Sequence, residues 1–89
     1  MNKSIKFQVS GRVQGVFFRS STKIQADKLA LSGWVRNCEN GEVEGVVSGA
    51  EQQLSNFISW LQQGPRMAQV DKLKIEDCDF QGFDSFDIR

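Results

Sequence analysis

A chain of 89 residues has room for one hydrophobic core, so residues 1–89 are read as a single domain. Eleven basic side chains are balanced by eleven acidic ones, which argues against a nucleic-acid partner, because neutralising phosphates supplies most non-specific nucleic-acid affinity. No apolar run approaches the ~20 residues that span a bilayer, and Met1 to Phe7 lacks the apolar core of a secretory signal; a cytoplasmic protein with no membrane partner is expected.

Ile5, Phe7 and Val9 alternate with Lys6, Gln8 and Ser10, the period-two pattern of a strand with one buried face. Two glycines, Gly11 and Gly15, interrupt it. A helix is predicted from about Arg19 to Ala30, with Phe18, Thr22, Ala26 and Leu29 on one side and Gly33 near its end. Trp34 to Cys38 reads as a second strand. Asn40-Gly41 signals a hairpin, because both residues tolerate positive φ, and Val43 to Val47 is the returning strand. Ser48 and Glu51 have capping-box spacing ahead of a second helix, whose apolar face is Leu54, Phe57, Ile58 and Leu61. Gly64 and Pro65 end it. Val70, Leu73 and Ile75 suggest a fourth strand, and Phe83, Phe86 and Ile88 a short fifth. The order β-α-β-β-α-β plus a terminal strand predicts an α+β fold of the ferredoxin-like type. It is a sandwich of an antiparallel sheet and two helices on one face, with a short fifth strand. Such folds host unrelated functions, so the site must decide.

The segment with most chemistry in it is Gly11-Arg12-Val13-Gln14-Gly15-Val16-Phe17-Phe18-Arg19, between the first strand and the first helix. A loop entering a helix N-terminus directs several N–H groups one way, where the helix dipole adds positive charge. Glycines allow the backbone to curl around an anion. Arg19 adds a planar fork of donors suited to a phosphoryl group. A cation in that position opposes the dipole by about 0.3–1 kcal/mol unless an anion lies between them. A plain tight turn with a solvated arginine fits the same spacing, and both readings stand on spacing alone. A P-loop fits less well, since the Gly-Lys-Ser/Thr ending is missing.

The string GRVQGVFFR, Gly11 to Arg19, resembles the signature of the acylphosphatase family, usually written GRVQGVxFR. Gly33-Trp34-Val35-Arg36-Asn37, followed by the Asn40-Gly41 turn and a Val-rich strand, resembles that family's second motif. The resemblance runs on through Gly64-Pro65 to Phe86-Asp87-Ile88-Arg89, nearly the whole chain. It implies a hydrolase that cleaves the carboxyl-phosphate bond of acyl phosphates to a carboxylate and inorganic phosphate. It implies further that the loop Arg12, Val13, Gln14, Gly15, Val16, Phe17 and Phe18, together with the Arg19 side chain, binds the phosphate. Asn37 would orient the attacking water, so that Arg19 and Asn37 are the catalytic residues. The implied partner is a small-molecule acyl phosphate, with inorganic phosphate or sulfate as a product-like ligand. Phe17 fills the motif's variable position, often Gly or Cys in relatives; its ring either narrows the acyl side of the pocket or gates access.

The reaction expected is direct displacement at phosphorus by water. The chain has no histidine to act as a general base, so Ser20, Ser21 and Thr22 lack an activating imidazole and read as first-turn polar residues. Cys38 and Cys78 are too few and too far apart for a zinc site; no metal or other cofactor is expected. They read as two inert thiols, with a disulfide left open. A monomer is expected. Two other classes compete: an RNA-binding module using the open sheet, and a carbamoyl-phosphate-handling part of a larger protein. The first lacks the aromatic strand pattern, and the shortness of the chain weighs against the second.

Overall fold

The computed structural model describes residues 2–89. β1 (Asn2–Arg12) lies between β4 (Gln69–Cys78) and β3 (Val43–Ala50). β2 (Ser32–Asn37) lies beyond β3, and β5 (Phe86–Ile88) completes the order β4-β1-β3-β2-β5. The alternation of Ile5, Phe7 and Val9 decides β1's place, because a strand with a continuous apolar face belongs at the centre. It pairs antiparallel with both neighbours, Phe7 opposite Gly45 on one side and Ile75 on the other.

The four longer strands form the expected antiparallel sheet; β5 makes it mixed, pairing parallel to β2. The reason is where the chain re-enters. β4 ends at the edge of the sheet where β2 begins, so a chain that crosses that edge through residues 79–85 must run alongside β2. Two bonds fix the crossing, from the Gln81 N–H to Ser4 Oγ at 2.8 Å and from the Gly33 N–H to the Ser85 carbonyl at 3.0 Å.

α1 (Phe18–Lys28) and α2 (Glu51–Gln63) pack on the face of Ile5, Phe7 and Val9. Phe57 of α2 sits at the centre, edge-on to Phe7 with centroids 5.6 Å apart and tilted against Phe86 at 6.3 Å. Such aromatic pairs add about 0.5–1.5 kcal/mol beyond the area they bury. Lys6 and Gln8 point to the helix-free face.

Two local signals end differently from expectation. α1 stops at Lys28, with Ala30 in the left-handed region (φ 57). The Leu31 N–H bonds to the Ala26 carbonyl at 2.9 Å and the Ala30 N–H to that of Asp27 at 3.2 Å. That is a Schellman closure with alanine where glycine is usual, fastened by burial of Leu31. Gly33 plays no part in it and lies within β2. The capping box does not form either: Ala50 is the N-cap of α2 and no side chain caps it. Pairing of β3 with β1 continues to Ala50, so Ser48 stays in the sheet, buried and hydrogen-bonded to the Ser4 hydroxyl.

Among the described residues, no helix is long and apolar enough to cross a membrane.

Candidate active site

β1 runs on through Arg12, so Gly11 and Arg12 belong to the sheet, opposite Val70 and Gln69. Gly11 has φ +124, and a Cβ there would lie 2.3 Å from the Gln69 carbonyl oxygen. Its glycine therefore serves the approach of β4, not that of an anion. The free loop is Val13 to Phe17. Val13 and Val16 are buried in the core, anchoring both ends of a tight arch. Gly15 lies between them at φ +74, with nothing within 4 Å of where its Cβ would be; backbone conformation, not crowding, favours glycine there.

Phe17 is the N-cap of α1 and sits in the left-handed region, φ 63 and ψ 26. That conformation costs a residue with a side chain roughly 1–2 kcal/mol. No side chain caps the helix, and its first turn holds no acidic residue. The amides of Phe18, Arg19 and Ser20 therefore have no intrahelical acceptor. Among the described residues, nothing accepts a hydrogen bond from the backbone amides of Val13 to Phe17 either. A run of donors at the positive end of a helix is the arrangement that binds oxyanions.

One open cavity of about 300 Å³ gathers these groups. Val13, Gly15 and Phe17 line it from the loop, Phe18, Arg19 and Ser20 from the first turn of α1, Asn37 from the end of β2, and Ile88 from β5. Arg19 is half-buried and its guanidinium enters no ion pair among the described residues. It is the one charged side chain in the lining. Ser20 spends its hydroxyl on the Phe17 carbonyl at 3.2 Å, and Thr22 on that of Phe18 at 2.7 Å, as first-turn polar residues do. Of the residues expected to bind phosphate, Arg12, Gln14 and Val16 do not line the cavity, whereas Val13, Gly15, Phe17, Phe18 and Arg19 do. Ser20 and Ile88 were not foreseen. Ser20 follows Arg19 in the same turn and could have been inferred; Ile88 arrives only through the parallel docking of β5.

Gln14 has a different task. Its side-chain amide donates to the carbonyls of Cys38 at 2.8 Å and Glu42 at 2.9 Å. These are the two residues that close the hairpin, where the Cys38 N–H meets the Glu42 carbonyl at 2.8 Å. Gln14 thus ties the Val13–Phe17 loop to the hairpin that begins at Asn37. Gln14→Ala should lower unfolding stability by about 1–3 kcal/mol, from two lost hydrogen bonds at about 0.5–1.5 kcal/mol each, and should depress kcat as loop and hairpin drift apart. Urea unfolding and steady-state kinetics check it; a stability loss with kcat untouched would restrict Gln14 to the fold.

Among the described residues the nearby Arg36, unlike Arg19, is already paired. Arg36 donates from Nε to Glu44 at 2.6 Å, directly across β2 and β3. Cys38 follows Asn37 but lies outside the cavity lining. Burial pushes its thiol up from the usual cysteine range, and the nearby Glu44 carboxylate pushes the same way, partly offset by Arg36. A thiol held protonated is a poor nucleophile. Cys38 and Cys78 are both free. On the helix-free face a second concavity is lined by Lys6, Lys74, Glu44 and Glu76 around Trp34; its charges cancel, and it has no helix terminus.

Fold and cavity together define the class: a ferredoxin-like α+β protein with an anion-receptive pocket at the start of its first helix. The sequence model of the acylphosphatase family matches residues 5–88. An acylphosphatase of Pseudomonas paraeruginosa is 47% identical over 81 residues, covering 91% of this chain and 89% of that protein. Among solved structures, an acylphosphatase from Coxiella burnetii superposes with a TM-score of 0.96 at 38% identity, covering 99% of this chain and 93% of its own. That from Bacillus subtilis gives 0.94 at 33% identity, covering 100% and 99%. The chain belongs to the acylphosphatase family. It is an enzyme that hydrolyses acyl phosphates to a carboxylate and inorganic phosphate.

Proposed function

We propose that hydrolysis proceeds by direct attack of water on phosphorus, with Arg19 and the amides between Val13 and Ser20 holding the phosphoryl oxygens and the Asn37 carboxamide holding the water in line. The observation that carries this reading is the meeting of Arg19 and Asn37 on one cavity at an uncapped helix start. A carboxamide can accept from a water and donate to an oxyanion. The water oxygen bonds to phosphorus while the bond to the acyl oxygen breaks. The electron pair leaves on the carboxylate, and the water proton passes to a phosphoryl oxygen or solvent. A carboxylate leaves readily without an acid catalyst, which suits a chain with no imidazole. What remains for the protein is positioning and charge stabilisation.

The same reading takes residues 1–89 as one domain working as a cytoplasmic monomer, without metal or other cofactor, and binding inorganic phosphate or sulfate as a product-like ligand. Hydrolysis of benzoyl phosphate in ¹⁸O-labelled water tests the chemistry. Label should enter inorganic phosphate, at a rate that chelator leaves unchanged. Label in benzoate would mean attack at the carbonyl carbon and would overturn the proposal.

A further inference from the structure

Two large apolar side chains stand exposed at the rim of the cavity. Phe17 is 71% exposed and Ile88 43%, and both line it. Neither is there for the core. Phe17 is the more unusual, because its backbone lies in the left-handed region at φ 63, a rare place for a bulky residue, and its ring recovers little through burial. An aromatic ring kept at a conformational cost and left in water points to contact with a ligand.

We propose that Phe17 and Ile88 form the acyl-binding subsite, and that it selects uncharged, apolar acyl groups, aromatic or branched, over small or anionic ones. The proposal rests on the reading that the phosphoryl group sits against Arg19. With the guanidinium and the helix-start amides engaged by phosphate, the lining offers the acyl group no second charged side chain. Val13 and Phe18 are buried, which leaves Phe17 and Ile88 as the accessible apolar surface. The two lie far apart in the chain and line one cavity because β5 docks parallel to β2, with Ile88 opposite Val35. A carboxylate on the acyl group would lose water without gaining a cation, which is costly. A phenyl ring would shed water against both side chains.

The test is kcat/KM for benzoyl, acetyl and succinyl phosphate, with wild type, Phe17→Gly, Ile88→Ser and the double variant. Benzoate and acetate are leaving groups of similar basicity, so the ratio reports the acyl contact and not the chemistry. Wild type should prefer benzoyl over acetyl phosphate by about tenfold or more, within the range that apolar contacts discriminate, with succinyl phosphate at or below acetyl. The double variant should bring the benzoyl-to-acetyl ratio down to within about threefold of unity, each single variant falling between. Folding is not at risk: glycine suits the backbone at position 17, and both side chains are exposed, so unchanged melting curves should accompany the loss. A ratio that survives the double variant, an equal loss on both substrates, or a preference for succinyl phosphate would each overturn the subsite alone. Turnover of none of the three by wild type would instead bring down the reading of the catalytic cavity, and the subsite with it.

Discussion

Arg19→Ala should lower kcat/KM for benzoyl phosphate by at least about 10²–10³-fold, the loss typical of removing a donor that stabilises developing oxyanion charge. Arg19 is the one charged side chain in the cavity lining, so no neighbour takes over. Arg36 is committed to Glu44, and Lys23 donates to the Phe86 carbonyl at 2.6 Å. The fold should not suffer. A cation in the first turn opposes the helix dipole, so its removal should leave stability unchanged or raise it by about 0.3–1 kcal/mol. Activity then falls with no loss of stability, which separates a catalytic loss from a folding one. Arg19→Lys should recover only part of the rate, since a point charge lacks the planar fork that engages two phosphoryl oxygens. Near-normal hydrolysis by the alanine variant would remove Arg19 from the mechanism.

Asn37→Ala should reduce kcat by about 10²-fold or more while competitive inhibition by inorganic phosphate changes little. A misplacement of the nucleophile by about 1 Å is enough for such a loss, whereas in the proposed arrangement Arg19 and the loop amides hold the phosphate without Asn37. The side chain is exposed, and no hydrogen bond ties it to the described residues. β2 keeps its pairing through Asn37 and Val43 by backbone alone. Truncation should therefore cost the fold little. If phosphate inhibition weakened in step with kcat, Asn37 would be a phosphate ligand, and the water would have to be positioned by another group.

These two residues could be picked out from sequence because each belongs to a short motif. The same holds for the helices, whose apolar periodicity is a property of neighbours in the chain, and for the hairpin, which Asn40-Gly41 marks within the strands it joins. The expectations that misled were also local. Ser48 and Glu51 have capping-box spacing, yet the hydroxyl of Ser48 goes to Ser4 across the sheet. A helix-start N–H is only one of several partners that folding offers a serine hydroxyl, and strand pairing to Ala50 put the hydroxyl of Ser4 within reach.

What the amino-acid order determined by itself was the set of elements, the family and the Gly11–Arg19 segment, for all of these are written in residues close together. Tertiary structure alone decided that Gln14 holds the loop to the hairpin, that Gly11 makes room for β4, and that Ile88 comes to the mouth of the cavity. Each depends on which distant strand arrives beside which, and that is settled by packing the whole apolar face of the sheet at once. No window along the chain contains it.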